Sequence, residues 1–144
     1  MPILSSSLIN NHKTILFDGI DDFVGFNNIN DIRTVFWVIK ERNGATNNNR
    51  ALLANTVVYD FYRASSKIWD SQYTNSAVLQ GITNLNSAPI NGTNTNMPNV
   101  FSIIDVVTTG NVSASSFSID RNITGRVWDG ELAELIIYNQ ALLP

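Results

Sequence analysis

Residues 33–40, RTVFWVIK, decide the fold. Val35, Trp37 and Ile39 alternate with Phe36 and Val38, so both faces of an extended segment carry β-branched or aromatic side chains. That pattern predicts a central strand covered on both sides, with Trp37 and Phe36 in the core.

Strand-like runs continue outward from this segment. On the N-terminal side, residues 14–17 run into the turn signal Asp18-Gly19, and residues 22–26 follow at once. The two runs read as a tight strand pair. On the C-terminal side, residues 41–50 are polar, include Asn43-Gly44 and read as a loop. Short strands are predicted at 51–54, 57–62, 67–70 and 78–82, and residues 84–99, with Pro89 and Pro98, as a long loop or weak edge strand. A second long strand is predicted at 100–108, shorter ones at 116–120 and 125–128. A last strand, 131–138, follows an Asp129-Gly130 turn. No window keeps a helical apolar period between caps. Many short strands separated by turn residues predict an all-β sandwich or barrel.

The 144 residues fit one domain, 1–144, large enough to bury a core. Hydrophobic residues make up 44% and charged residues only 15%, and polarity comes from Ser, Thr and 20 asparagines. The net charge is -3 and the basic residues are scattered, which argues against a nucleic-acid partner. No apolar run reaches the length of a membrane span. The absence of cysteine excludes disulfides, thiolate metal sites and cysteine nucleophiles. The first 13 residues lack a charged region followed by an apolar one, so no signal peptide is read. The expected settings are the interior of the producing cell, a virion, or a longer exported chain.

FDGIDDFVGF (residues 17–26) and SFSIDRNITGRVWDGELAELIIYNQAL (residues 116–142) resemble the N- and C-terminal signatures of laminin-G-like, concanavalin A-like domains. RTVFWVIK lies where that family has its first long core strand. The resemblance implies a two-sheet antiparallel β-sandwich, a jelly roll, whose first and last strands pair so that the two Asp-Gly turns meet at one corner. Relatives often continue past Ala-Leu into a closing helix, whereas this chain ends at Leu142-Leu143-Pro144.

The same fold hosts glycosidases, which need two facing carboxylates. The glutamates are Glu41, Glu131 and Glu134, and the odd spacing of the last two puts them on opposite faces of a regular strand. His12 has no nucleophile constellation around it. The chain is therefore read as a non-catalytic binding module, most simply for carbohydrate. The alternative is a structural or interaction domain of a virion decoration, a tail fibre or a cell-surface assembly. Carbohydrate contact would fall to aromatic side chains beside amides and acids, and Tyr62, Trp69, Tyr73 and Trp128 are the candidates. Tyr59 and Phe61 are expected on one face of their strand, with Asp60 and Tyr62 on the other. The Asn-rich loops 43–49 and 91–96 would read a polar ligand or be plain solvated loops. No cofactor is required. Calcium is the one candidate ion, with Asp18, Asp21, Asp22 and Asp129 as ligands if the Asp-Gly corners converge. The competing reading of these residues is turn chemistry.

Overall fold

Alternation in residues 33–40 places Val35, Trp37 and Ile39 wholly inside the protein. In the computed structural model, which describes residues 1–45 and 49–142, they belong to an 18-residue strand, β3 (Val24–Glu41). The other strands are β1 (Ile3–Ile9), β2 (His12–Asp18), β4 (Arg50–Ala54), β5 (Phe61–Arg63), β6 (Ile82–Leu85), β7 (Ala88–Ile90), β8 (Ser102–Ser118) and β9 (Asp129–Tyr138). Among the described residues the only helix is one turn, α1 (Ser76–Leu79), where the Asn75 side chain accepts from the Ala77 amide. Of the strand expected at 78–82 only Ile82 is extended, as the start of β6, because the capped turn takes residues 78 and 79. No helix among the described residues is long and apolar enough to cross a membrane.

All strands join one antiparallel sheet ordered β1-β2-β9-β3-β8-β4-β5, with the β6–β7 hairpin against β8. The chain is therefore all-β. Register shifts between Gly25 and Thr34 divide β3 and β8 into two arms. One arm is flanked by β9 and β6, and the other, through β8, by β4. Trp37 on β3 nevertheless meets Phe61 on β5 edge-to-face at 5.5 Å. Strands so far apart in the order can touch only because the sheet curls over and encloses its core. Trp69, Phe117, Ile104, Val106 and Leu52 fill that core.

Several expected elements change. Residues 14–17 and 22–26 do not pair with each other. β9 lies between β2 and β3, so that Phe17 faces Gly130 and Asp18 faces Asp129. β2 takes its second partner from β1, a hairpin strand absent from the expectation, closed by Asn10 and Asn11 at φ 50° and 65°. Asp129-Gly130 makes no turn; it opens β9. A Cβ on Gly130 would stand 2.2 Å from the Lys40 carbonyl oxygen, so glycine is required there for close approach. Phe36 faces outward and is only partly covered, packed on Tyr138 at 6.2 Å. Residues 67–70 make one isolated bridge rather than a strand, and 125–128 form none. Of the loop expected at 41–50, Glu41 and Arg50 are strand ends and residues 46–48 lie outside the described set, as do Leu143 and Pro144.

Several of the asparagines form turns. Asn55 accepts from the Val57 and Val58 amides, Asn91 from the Thr93 amide, and Asn86 turns the β6–β7 hairpin at φ 51°. Asn tolerates this left-handed backbone because its short amide bonds locally. Gly92 in the same region has no room for a side chain, since a Cβ would lie 2.2 Å from Trp69 Cδ1. Gly92→Ala is expected to cost about 1–3 kcal/mol by overpacking, measured as a lower urea midpoint. An unchanged midpoint would show that the loop gives way freely.

Candidate functional site

β5 has only three residues, but it separates two environments. Phe61 points into the main core, whereas Tyr62 starts a separate small cluster with Ala51 and Ala54. The preceding segment is not yet a strand, so Tyr59 does not share a face with Phe61 as alternation predicts. It packs edge-to-face on Tyr62 at 5.3 Å. From the other side comes Tyr73, at 5.9 Å from the Tyr62 ring. Its turn is held by Asp70, whose Oδ1 accepts from the Gln72 and Tyr73 amides at 2.8 and 2.7 Å. Tyr62 is 4% exposed and Tyr73 50% exposed, so the first is a floor and the second a wall.

The loop between β8 and β9 supplies two arginines. Asp120 is fully buried and accepts from Arg121 Nε at 2.7 Å, Arg121 Nη2 at 3.1 Å and Arg126 Nη1 at 2.9 Å. The Arg121 guanidinium also lies 4.0 Å from the Tyr59 ring centre. Arg121 and Asn122 sit at φ 49° and 64°, a backbone that a long side chain adopts only where its contacts over-determine it. Hydrogen bonding to Asp120 raises the Arg121 pKa, and burial raises that of Tyr62, so both keep their protons at neutral pH. The Tyr62 hydroxyl donates to Asn49 Oδ1 at 3.3 Å. Tyr59, Tyr62, Tyr73, Asn49, Arg121 and Arg126 together line a pocket of about 350 Å³, within the size range of small-ligand sites.

Two of the four predicted contact residues, Tyr62 and Tyr73, therefore meet at one pocket. The other two need correction. Trp69 is 2% and Trp128 0% exposed, and neither lines the tyrosine pocket; Trp69 instead borders a separate cleft with Thr83, Asn91 and Gly92. Trp69 packs against both Trp37 and Phe61, at 5.9 and 6.1 Å, and donates through Nε1 to Thr83. Trp128 packs on Phe117 at 6.3 Å. Burial of so large an apolar area is what draws both rings into the core. Arg121 and Arg126 escaped the sequence reading because nothing local ties them to Tyr59. The nearest signal was their position within residues 116–142, ahead of Asp129-Gly130.

The acidic candidates also separate. Ligand oxygens of Asp18, Asp21 and Asp22 lie within 4.8 Å of one another. Asp18 Oδ1 accepts from the Ile20 amide, and Asp22 Oδ2 from the Asp18 amide. The Met1 ammonium lies 2.6 Å from Asp22 and 3.6 Å from Asp21. Asp18 Oδ1 and Asp22 Oδ2 thus brace the Asp-Gly turn itself. Asp129 is not part of the cluster. It faces Arg42 at 3.0 Å and Arg50 at 4.0 Å.

That last pair belongs to a charged cluster that composition did not announce. Arg50 and Arg63 are fully buried, and both donate to Glu41 Oε1, Arg50 at 2.9 Å. Arg63 also donates to the Lys67 and Ser65 carbonyls. Burial lowers the Arg50 pKa, and among the described residues its Nε and Nη2 have no hydrogen-bond partner.

The glutamates are the third correction. Val38 faces Glu134 while Ile39 faces Leu132, so β9 carries a bulge at Ala133. The extra residue cancels the odd spacing and puts Glu131 and Glu134 on the same outer face. They are not equivalent, however. Glu131 is buried and bonded to Lys40 at 2.7 Å, to Thr14 and to Ser7, whereas Glu134 is exposed.

No protein-family model, no curated protein and no solved structure matches this chain.

Proposed function

We propose that the chain is a non-catalytic binding module that takes a glycan in the tyrosine–arginine pocket, and that its curled sheet is a jelly-roll sandwich of the concanavalin A-like, laminin-G-like kind. The observation carrying this reading is the convergence of Tyr59, Tyr62 and Tyr73, from three separate loop or strand positions, on one pocket with polar walls. Tyrosine rings offer C–H-binding faces to a pyranose, and the amide and guanidinium groups around them can read its hydroxyls. The state of the carboxylates supports a non-catalytic role. A glycosidase needs one carboxyl with a raised pKa opposite a second, whereas Glu41 is tied to two arginines and Glu131 is held strongly acidic. No step of the proposed function runs through a metal ion. A module of this kind suits a surface, adhesion or polysaccharide-processing protein.

Titration of the protein against a glycan array tests the reading. Saturable binding to one sugar class is expected, and Tyr73→Ala should weaken it about tenfold by removing an exposed stacking face. Because Tyr73 is half exposed, folding should be unaffected. Binding that survives this substitution unchanged would reject the pocket.

One observation favours the second reading, an interaction domain of a virion or cell-surface assembly. The outer face of the central strands carries Phe36, Val38, Ile103, Ile136 and Tyr138 where a solvated sheet face would be polar. Sedimentation analysis showing a stable oligomer dispersed by Ile136→Lys would favour it.

A further inference from the structure

We propose that the ligand of the tyrosine pocket is an acidic glycan, whose carboxylate or sulfate is held by Arg121 and Arg126. This rests on the glycan reading above and narrows it to a substrate class. Two guanidiniums share a single buried carboxylate, Asp120, so the pocket wall carries one surplus positive charge. Asp120 engages Nε and Nη2 of Arg121 and Nη1 of Arg126. It leaves Nη1 of Arg121, and Nε and Nη2 of Arg126, without a hydrogen-bond partner among the described residues. Both side chains are about one-third exposed, so these donors are open to a ligand.

The neighbouring acids do not cancel this charge. Asp60 bonds the Asn75 side chain and the Ser113 amide, and Asp70 bonds its own turn; neither lines the pocket. The chain as a whole is acidic, with net charge -3, so the cationic wall is local rather than part of a basic surface. Guanidinium groups fixed by a buried partner are pre-organised. They present planar paired donors that match a carboxylate or sulfate and add little to a neutral hydroxyl. Tyr73 and Tyr59 then receive the ring that carries the acidic group. Asp120 is the positioning residue that sets both arginines.

The test is an array in which each neutral oligosaccharide is printed beside its carboxylated (uronate or sialylated) and its sulfated forms, probed with the full chain. Acidic forms are expected to bind at least about tenfold more tightly than their neutral parents. Hits confined to the carboxylated or to the sulfated forms identify the source of the charge. Arg126→Gln should lose that advantage while Arg126→Lys keeps part of it; Arg121 still holds both oxygens of Asp120 in either variant. The comparison of acidic with neutral forms on the unsubstituted protein needs no variant to fold. Equal binding of neutral and acidic forms overturns this inference and leaves the glycan reading standing. Acidic binding untouched by both Arg126→Gln and Arg121→Gln overturns the site. No binding to any glycan overturns the glycan reading as well.

Discussion

Glu41→Gln should destabilise the protein by about 3–5 kcal/mol, the largest single-residue effect expected here. The substitution keeps the shape of the side chain and removes the one charge that faces both buried arginines. Arg63 would then lose its ion-pair partner and Arg50 would keep only Asp129, 4.0 Å away, and desolvation is a cost that packing does not return. A domain of this size has a total stability of roughly 5–15 kcal/mol, so the variant should be marginal at room temperature. Urea unfolding at neutral pH measures the difference directly. The two arginines should not behave alike. Arg63 donates to two carbonyls besides Glu41, whereas among the described residues Nε and Nη2 of Arg50 have no hydrogen-bond partner. Arg50→Met should therefore be milder than Glu41→Gln, because it removes a poorly satisfied charge together with its desolvation cost. A Glu41→Gln midpoint within about 1 kcal/mol of the unsubstituted protein would mean that water reaches the cluster and screens it.

The second large effect is a dependence on pH centred on Glu131. Burial by itself would raise the pKa of this carboxyl. The ion pair with Lys40 and the hydroxyls of Thr14, Ser5 and Ser7 together overcome burial and hold the pKa at about 2. The folded protein therefore binds this proton less readily than the unfolded chain does. It follows that the stabilisation is complete above the ordinary glutamate range and drains away as the pH falls from about 5 towards 2. Its full size is about 3 kcal/mol. Glu131→Gln should lower stability at pH 7 and flatten the acid limb of the stability profile, so that the two proteins converge near pH 2. Denaturant midpoints at pH 7, 4 and 3 would show this. Parallel profiles for the two proteins would assign the acid sensitivity to other carboxylates. The burial of Glu131 depends on β1, because Ser5 and Ser7 reach it from that strand. Glu131 is thereby covered by a hairpin that the sequence pattern did not reveal.

What the sequence by itself determined is local. Alternation in residues 33–40 specified a core strand and its inward set, Val35, Trp37 and Ile39. Asp18-Gly19 specified a turn, with Asp18 bonding the amide two residues on and Gly19 at φ 79°. The spacing of turn residues specified an all-β chain, and the run from Tyr59 to Tyr73 marked the stretch that lines the pocket. Each of these depends on forces acting within a few residues, which a linear pattern records. Tertiary structure decided the rest. It inserted β9 between β2 and β3, bulged β9 at Ala133 so that two glutamates share a face, and drew Trp69 and Trp128 into the core. It also buried Arg50 and Arg63 on Glu41 and brought Arg121 onto Tyr59 from a distant loop. Strand neighbours, the burial of a charge and the walls of a pocket are set by non-local contacts. The energy of a guanidinium, a carboxylate or an indole depends on which distant groups exclude water from it.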